Sequence, residues 1–559
     1  MERAWKETSL LLILLPWAVF LVHHVAYSDE VPRYDSSAYT QCKAHPEAPL
    51  YGGGVLQGLD GVIQREQGKT ETGASSPAYV LDYLTTGTRY AFSCWVKIRG
   101  EDDALVKARL ATGNSTIRCI GTALARSGCW SFLKGGFVLD SPPSDTSVLY
   151  FKSADGSRIH ISIASASLQP FTVEQWRMHQ EDNIRTKRKR VVSVHVADSQ
   201  GNRVSQASVS VEQVSKDFPF GSAIAKTILG NLPYQAWFVD RFNAAVFENE
   251  LKWYVTEPDP GRLNYTLADE MLDFLRSNKI PARGHNIFWE DPVYTPGWVR
   301  NLTGEQLSYA VESRIEGLMG RYRGEFVHWD VSNEMLHFNF YEQRLGENAS
   351  QRFFQTAQRS DPLATLFMND FNVVETCDDV NSTVDSYVSR LRELMEAGAV
   401  LEGIGLEGHF GKPNLPLMRA VLDKLATLGL PIWLTEIDIS KVFDQQTQAT
   451  YLEEVLREGF SHPAVNGIVL WTALHPRGCY QMCLTDNDLH NLPAGDVVDK
   501  LLRDWETKEA AGSTDDHGTY SFDAFLGEYK VFVTHGNRSA ESTLSLCRGD
   551  ETKHLNIEL

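Results

Sequence analysis

Two segments of the sequence place a glutamate at the end of a hydrophobic, β-rich run. They read WDVSNE at residues 329–334 and WLTEID at residues 433–438. A carboxylate at the end of a buried strand costs free energy unless a function requires it. Hydrolysis of a glycosidic bond requires two carboxyl groups, one that protonates the leaving oxygen and one that attacks the sugar or activates water. Glu334 and Glu436 are therefore candidate catalytic residues.

The spacing of such a pair would decide the stereochemistry. Carboxyl groups about 5–5.5 Å apart favour retention through a covalent glycosyl-enzyme. A single acid at a strand end could instead cap a helix or form a salt bridge, and this alternative stays open for Asp330 and Asp438. Asn333-Glu334 and Glu436, each with a flanking tryptophan, favour the catalytic interpretation.

The elements that must position these residues form a repeating pattern over residues 215–508. Eight β-rich runs alternate with helical segments, and they read FPFGSAIA, AAVFENE, PARGHNIFW, FVHWDVSNE, TLFMNDFN, EGIGLEGH, PIWLTEIDI and NGIVLWT. About 37 residues per unit lies within the range of an α/β fold of the (β/α)8 TIM-barrel type. Eight sequential repeats favour closure over a doubly wound open sheet. Such barrels carry their active sites at the C-terminal ends of the strands.

The regions on either side of the barrel differ in pattern. Residues 45–168 contain short strands between turn residues, which predicts a β-sandwich module before the barrel. Its Tyr90, Trp95, Trp130 and Phe132 could stack on sugars, but core packing is the preferred interpretation. Residues 169–214 are interpreted as a connector whose basic run at 185–190 is a solvated face. Residues 509–559 predict a short β-rich extension packed beside the barrel.

Composition excludes several classes of function. The 559 residues include 53 basic and 72 acidic side chains, a net charge of -19 that repels phosphate backbones and argues against a nucleic-acid partner. The Gly-rich segment at residues 51–55 lacks the Lys-Ser/Thr of a phosphate-binding loop and is interpreted as a flexible loop. No cofactor is expected, and no ligand cluster is specific enough to predict a metal.

The N-terminus indicates secretion. Arg3 and Lys6 precede an apolar stretch, and small residues follow at cleavage spacing, so residues 1–28 are expected to be a signal peptide. An uncleaved anchor is the less favoured alternative. We therefore expect an extracellular protein of the cell wall or apoplast, without a membrane span after cleavage. Six sequons are candidate glycosylation sites: Asn114, Asn264, Asn301, Asn348, Asn381 and Asn537.

Eight cysteines fit an oxidising compartment. Their even number permits disulfides, but the sequence leaves the pairing open among 105 connectivities. Cys119 and Cys129 flank a short segment, and Cys479 and Cys483 could close a tight loop. Zinc binding by the second pair is set aside because no further ligand pair lies nearby.

Five ordered motifs resemble glycoside hydrolase family 10, the endo-1,4-β-xylanases. They are RFNAAVFENELKW, RGHNIFW, WDVSNE, GIGLEGH and WLTEIDI, and the resemblance covers roughly residues 215–508. The N-terminal segment resembles a family 22 carbohydrate-binding module. GHNIFWEDP and CLTDNDLHNLP resemble the secreted plant members. The resemblance implies retaining endo-hydrolysis of β-1,4-xylosidic bonds, with xylan or xylo-oligosaccharides as the binding partners.

The resemblance also assigns roles to residues. It implies that Glu334 is the general acid/base and Glu436 the nucleophile. The substrate-binding residues implied are Asn333 at the sugar 2-hydroxyl, His409 holding the nucleophile, the cluster Glu248, Asn249 and Lys252 at the next xylose, and the walls His285, Trp289 and Trp471. Asp438 would support His409. Because Glu334 must be protonated and Glu436 charged, their environments should push the two pKa values apart.

Three positions depart from the commonest family pattern. Glu407 stands near the nucleophile where many relatives have Gln, and Glu290 stands where His is frequent. Leu474 lies where relatives often have a second tryptophan that covers the cleavage subsite. We hypothesise that Glu407 supports the site by sharing a proton with Glu436, which would shift the pH optimum. Two alternatives to a xylanase stay open: a transglycosylase that uses the same carboxylates, and a catalytically inactive wall-binding protein. The oligomeric state is not indicated.

Overall fold

The computed structural model describes residues 32–57, 62–66, 75–113, 117–143, 146–507 and 510–559. The expected signal peptide at residues 1–28 and the sequon at Asn114 lie outside this part of the chain. Among the described residues, no helix is both long enough and apolar enough to cross a membrane.

The N-terminal body consists of eight antiparallel strands in the order β1-β2-β7-β4-β5-β6-β3-β8. Every second residue of the third strand, from Tyr90 to Ile98, lies in one apolar core. This arrangement agrees with the predicted β-sandwich. The strands are β1 Val62–Glu66, β2 Ser75–Leu81, β3 Arg89–Arg99, β4 Asp103–Ala111, β5 Ile117–Arg126, β6 Ser131–Val138, β7 Ser147–Ser153 and β8 His160–Phe171.

The four aromatic residues singled out in this body do not form a sugar platform together. Tyr90, Trp95 and Phe132 are 3%, 1% and 5% exposed, but only Tyr90 lies in the sandwich core, so the core interpretation is correct for Tyr90 alone. The rings of Trp95 and Phe132 pack against Tyr39 at centroid distances of 5.4 and 5.3 Å. Trp130 is half-buried, and Lys97 Nζ lies 5.9 Å from its ring centroid.

The segment expected to be a connector forms α1 Val173–Arg188, β9 Lys189–Ala197 and β10 Ser208–Lys216. Thr172 begins the helix with a capping box that includes Gln175. The expectation of a solvated basic face is wrong at Arg188. Its guanidinium is buried and donates to the carbonyl oxygens of Phe460, His462 and Val465 over 2.6–2.9 Å.

The predicted (β/α)8 barrel is confirmed. Eight parallel strands pair in sequence, and the ring closes through the first and the last of them. These strands are β11 Phe220–Ile224, β12 Ala244–Phe247, β13 Ala282–Gly284, β15 Phe326–Asn333, β16 Thr365–Asp370, β17 Gly403–Leu406, β19 Ile432–Ile439 and β20 Val465–Leu470. Two short strands, β14 Phe288–Trp289 and β18 His409–Phe410, extend pairing at the C-terminal rim.

Helices and loops surround the barrel strands. The helices are α2 Leu232–Val239, α3 Trp253–Thr256, α4 Thr266–Ser277, α5 Gly297–Arg300, α6 Gly304–Arg321, α7 Glu342–Leu345, α8 Ala349–Ser360, α9 Val384–Glu396, α10 Leu415–Ala426, α11 Gln445–Ser461 and α12 Pro493–Asp504. Short 3₁₀ helices occur at Leu50–Gly53, Lys226–Ile228 and Pro292–Tyr294. Because both faces of the strands are covered, β19 is buried at every residue.

The C-terminal strands combine with β9 and β10 into a separate β unit. They are β21 Ala510–Ser513, β22 Thr519–Phe525, β23 Gly527–His535, β24 Arg538–Leu546 and β25 Lys553–Glu558, in the sheets β21-β10-β23-β24 and β22-β9-β25. The alternating apolar faces of these strands bury Val194, Val209 and Val531 together. The segments on both sides of the barrel, expected to be a connector and a tail, therefore form one unit.

The sandwich is attached to the outer helices of the barrel. Gly136 of β6 contacts α10, where an added Cβ would lie 2.5 Å from Pro416 Cβ. Lys134 Nζ donates to Asp423 Oδ2 over 2.7 Å in a buried pair. The segment at residues 51–55 also packs closely, because Val55 N donates to Leu168 O over 2.9 Å and a Cβ on Gly54 would lie 2.3 Å from that oxygen. The segment expected to be a flexible loop thus contains a 3₁₀ helix and a bridge between Gly54 and Leu168.

Three disulfides define the cysteine pairing. Cys479–Cys483 closes the tight loop that its spacing indicated. Cys42–Cys129 ties the N-terminal segment to the sandwich, and Cys119–Cys377 joins the sandwich to the barrel. Cys94 and Cys547 are free, the first buried and the second exposed.

Candidate active site

Both candidate catalytic glutamates lie at the C-terminal mouth of the barrel. Glu334 follows β15 directly, and Glu436 lies within β19; they are 9% and 5% exposed. Glu334 has a left-handed backbone with a φ of 61°. Its N–H donates to Asn369 O over 2.9 Å, which fixes this unusual residue against the end of β16.

The amide of Asn369 connects the residues around Glu436. Asn369 Nδ2 lies 3.0 Å from Glu436 Oε1 and 2.9 Å from Asn333 Oδ1, within donor distance of both. Thr435 Oγ1 donates to Asn369 Oδ1 over 2.6 Å and fixes the orientation of the amide. Sequence reasoning missed Asn369, although it ends the strand run TLFMNDFN and the end of a barrel strand is itself a signal.

Two histidines approach Glu436 from different sides. His409 Nδ1 lies 3.0 Å from Asp438 Oδ1, and His409 Nε2 lies 3.6 Å from Glu436 Oε2. His285 Nδ1 lies 3.0 Å from Asp330 Oδ2 and 3.8 Å from Glu436 Oε1. Each imidazole that faces Glu436 thus also contacts an aspartate, Asp438 at His409 and Asp330 at His285.

Asp330 also forms the salt bridge that was left open as an alternative. Arg283 Nη2 donates to Asp330 Oδ1 over 2.6 Å, and both side chains are buried. Burial alone would raise the pKa of Asp330, but the charges and hydrogen bonds of Arg283 and His285 together hold it below its usual range. Asp330 is therefore an ionised carboxylate inside the barrel rather than a residue of the rim.

The surroundings of the two glutamates shift their pKa values in opposite directions. Burial raises the pKa of Glu334 to about 7, and the charges of Asp370 and Glu436 act in the same direction. Burial alone would also raise the pKa of Glu436. His285, His409 and Lys252 outweigh burial and hold the pKa of Glu436 below its usual value. Around pH 6 this arrangement gives one protonated and one ionised carboxyl group.

Glu407 lies in the same network as Glu436. Its Oε1 lies 3.4 Å from Asn333 Nδ2 and 3.3 Å from Asn369 Nδ2, and its Oε2 lies 3.5 Å from His409 Nε2. Burial, followed by the charges of Glu436 and Glu334, raises the pKa of Glu407 well above its usual range. This shift favours the protonated, neutral form of Glu407.

A polar and aromatic cluster forms beside the glutamates. Glu248 Oε2 accepts from Asn249 Nδ2 over 2.9 Å, and Asn249 Oδ1 accepts from Lys252 Nζ over 3.2 Å. Lys252 Nζ lies 4.4 Å from the ring centroid of Trp289 and 5.8 Å from that of Trp471. The residues expected to bind the next sugar are therefore together.

Further residues of this mouth were missed from the sequence. His475 Nε2 lies 2.6 Å from Glu248 Oε2, and the ring of Tyr294 stacks on Trp289 at 3.8 Å. Tyr480, which the Cys479–Cys483 loop carries, is 53% exposed and its ring centroid lies 5.5 Å from that of His409.

Leu474 and Glu290, the other two positions that depart from the family pattern, are both buried. Leu474 is 7% exposed and packs in the barrel core. Glu290 is buried; its Oε1 accepts from Ser332 Oγ over 2.7 Å and its Oε2 from Tyr341 N over 3.3 Å. Burial raises the pKa of Glu290 to about 7. Glu290 therefore supports the end of β15 from behind.

Two groups of side chains in the described part of the chain have donor atoms close enough to hold a metal ion. They are Glu407, His409 and Glu436 at the mouth, and Asp486, Asp488 and His490 on a surface loop. The first group contains the nucleophile candidate, so a metal there would occupy the carboxylate oxygens needed for attack. The second group is largely exposed, and the carboxylate of Asp486 accepts the backbone N–H groups of Asp488 and His490 in the same turn.

Comparison with known proteins identifies the class of protein. The model of glycosyl hydrolase family 10 matches residues 210–479. Endo-1,4-beta-xylanase 5 of Arabidopsis thaliana is 36% identical over 460 residues, which are 81% of this chain and 79% of that protein. Endo-1,4-beta-xylanase 4 of the same plant is 36% identical over 480 residues, or 85% and 82%. The chain belongs to glycosyl hydrolase family 10.

A solved structure is also similar to part of this chain. Xylanase 10B from Thermotoga petrophila, crystallised with xylobiose, is 24% identical and has a TM-score of 0.47. The match covers 52% of this chain and 94% of that protein.

Proposed function

We propose that this protein is a retaining endo-1,4-β-xylanase in which Glu334 is the general acid/base and Glu436 the nucleophile. The observation that carries the assignment is the opposite electrostatic environment of two buried carboxyl groups at one barrel mouth. The substrate class rests on the relatives, which are named endo-1,4-beta-xylanases and align over most of their length.

The first step uses the protonated acid and the charged nucleophile together. Glu334 transfers its proton to the glycosidic oxygen while a carboxylate oxygen of Glu436 attacks the anomeric carbon. The bond to the leaving sugar breaks, and a covalent glycosyl-enzyme forms with inverted configuration. Asn369 donates to Glu436 Oε1 over 3.0 Å, and His409 Nε2 lies 3.6 Å from Oε2, so both carboxylate oxygens are oriented before the attack.

The second step follows from the loss of charge. Once Glu436 is esterified, its negative charge no longer raises the pKa of Glu334. Glu334 can then accept a proton from water, which attacks the anomeric carbon and releases the sugar with net retention. One pair of carboxyl groups thus serves as acid, nucleophile and base.

Sugar binding is assigned to the groups around this pair. Asn333 would bind the 2-hydroxyl at the cleavage subsite, and Glu248, Asn249 and Lys252 would bind the next xylose. Trp289 and Trp471 offer aromatic faces, and His285 forms an edge contact with Trp471 at 5.2 Å. Aromatic faces stack on the apolar faces of sugar rings without demanding charge.

We further propose that the N-terminal body is a carbohydrate-binding module similar to family 22 and that the protein is secreted and glycosylated. Five sequons, at Asn264, Asn301, Asn348, Asn381 and Asn537, have exposed asparagines. Disulfides fit an oxidising compartment. The half-exposed Trp130 is the module's aromatic residue most open to a glycan among the four that the sequence indicated.

The test is product analysis with an unbranched xylohexaose. Proton NMR of the first products is expected to show the β-anomer before mutarotation, and Glu334→Gln and Glu436→Gln should each reduce kcat by more than about 10³-fold. The exposed Glu402→Gln is the matched control and should be unaffected. An initial α-anomer would refute retention.

Mass spectrometry with a labelled acceptor distinguishes the remaining outcomes. Shorter products alone support hydrolysis. Labelled products longer than the donor would assign transglycosylation to the same carboxylates. No turnover of linear or branched donors would favour a wall-binding protein.

A further inference from the structure

The segment of residues 377–379 contacts both the sandwich and the catalytic site. Cys377 forms the disulfide with Cys119 of β5, and both residues lie in the barrel core cluster. Lys107 Nζ of β4 donates to Asp378 O over 2.7 Å, and Arg109 Nη2 lies 3.6 Å from Asp378 Oδ1. The sandwich therefore holds this segment by one covalent bond and two polar contacts.

The side chain of the next residue, Asp379, contacts the catalytic side of the segment rather than the sandwich. Its Oδ2 lies 3.0 Å from His337 Nε2, and His337 Nδ1 lies 2.6 Å from Asp370 Oδ1. Because each ring nitrogen faces a carboxylate oxygen, the ring is an imidazolium that donates on both sides. Burial alone would lower the pKa of His337, but the two carboxylates raise it to about 9. The ring also stacks on Phe371 at 3.7 Å.

His337 and one of its two carboxylate partners also form hydrogen bonds within the turn that contains Glu334. His337 N donates to Glu334 O over 3.2 Å, and Leu336 N donates to Asp370 Oδ2 over 2.8 Å. Glu334 has a left-handed backbone, which a non-glycine residue adopts only where its surroundings fix it. The contacts of Asp370 and His337 supply part of that fixation.

We propose that the N-terminal sandwich positions the acid/base Glu334 through the 377–379 segment, with Asp379 and His337 as the positioning residues. The inference rests on the proposed function only in taking Glu334 as the acid/base. It assigns the sandwich a role in the chemical step, separate from any binding of glycan by that module.

The first test compares two disulfide variants of the full-length protein. Cys119→Ser/Cys377→Ser removes the connection, and Cys42→Ser/Cys129→Ser is the matched control, because its disulfide ties the N-terminal segment to the sandwich alone. Hydrogen exchange by mass spectrometry is measured on peptides covering residues 334–341 and 371–383. We expect faster exchange in both peptides for the first variant and no change for the control.

Kinetics with p-nitrophenyl β-xylobioside add a second readout. This small probe spans only the catalytic mouth, so a positioning defect lowers kcat, whereas a binding defect raises KM. We expect a roughly tenfold lower kcat for Cys119→Ser/Cys377→Ser. Unchanged exchange at residues 334–341 in that variant would overturn the inference. If exchange there is faster but the wild type turns over no substrate, the structural connection between the sandwich and Glu334 is supported and the proposed function is rejected.

A conservative variant covers the case in which the disulfide variant does not fold. Asp379→Asn removes one negative charge beside His337, which Asp370 still keeps protonated. Glu334 also faces Glu436, Glu407 and Lys252, and these are unchanged.

The net negative charge near Glu334 falls in Asp379→Asn, so the basic limb of kcat/KM should move down by roughly half a pH unit. Asp515→Asn, in a remote exposed turn, is the control. A basic limb at the wild-type pH, together with wild-type exchange at residues 334–341, would overturn the inference.

Discussion

Replacing Glu407 by Gln tests the electrostatics of the site without changing its shape. Glu407 is 2% exposed and receives the amides of Asn333 and Asn369. Burial and the charges of Glu436 and Glu334 raise the pKa of Glu407 well above its usual range. The native protein therefore keeps a proton on Glu407 at neutral pH, and a Gln side chain has the same size without a proton to lose.

The magnitude follows from linkage. In the unfolded chain a glutamate has a pKa of about 4.3 and is ionised above pH 5. Folding then takes up one proton at Glu407, so the stability of the wild type falls with rising pH by about 1.4 kcal/mol per unit. Glu407→Gln lacks this proton uptake, so its stability relative to the wild type should rise by that amount.

Differential scanning calorimetry at pH 5, 6 and 7 measures the effect. For a domain of this size 1 kcal/mol corresponds to about 2 °C, so the variant's Tm should gain roughly 3 °C on the wild type for each pH unit over which the folded carboxyl keeps its proton. The Tm difference at each pH is compared because a multidomain chain need not unfold in one step. The exposed Glu402→Gln should show a constant difference. A constant difference for Glu407→Gln would refute a proton held on Glu407.

Three further substitutions test other parts of the structure. Asn369→Ala removes a donor to Glu436 and should lower kcat by about 10²-fold in initial-rate measurements; an unchanged kcat would contradict this role. Glu458→Gln leaves the buried guanidinium of Arg419 without its charged partner, so calorimetry should show a loss of about 3–5 kcal/mol, and a loss below about 1 kcal/mol would refute the argument. Tyr480→Ala removes an exposed ring beside the site and should raise KM roughly fivefold, whereas an unchanged KM would exclude sugar contact.

The barrel and its glutamates could be predicted because their signals are local. Each buried parallel strand is a short apolar run, and residues in or just beyond its C-terminal part lie toward one rim. That rule alone brings Glu334 and Glu436 to the same mouth, as the structure shows. The N-terminal strands were also visible, since the alternation from Tyr90 to Ile98 marks one buried face.

Other features depend on partners that are distant in sequence. The strands β9 and β10 alternate like any half-buried strand, and only the structure shows that their partners lie more than 290 residues away. Asn369 looks like an ordinary polar strand end until Glu436 lies beside it. Arg188 sits in a basic run, and its burial depends on three carbonyl groups of residues 460–465.

The departure at Glu407 illustrates why a change in residue type need not change the chemistry of a site. An added carboxylate would oppose the charge of Glu436 only if both were ionised. Because the mouth is buried, keeping a proton on one of the two groups costs less free energy than ionising both. His409 and Lys252 favour ionisation of Glu436 rather than Glu407. A protonated Glu407 is neutral and accepts amide hydrogens as Gln would. Glu436, the proposed nucleophile, thus keeps its charge, and we expect the cost of the substitution in the dependence of stability on pH rather than in catalysis.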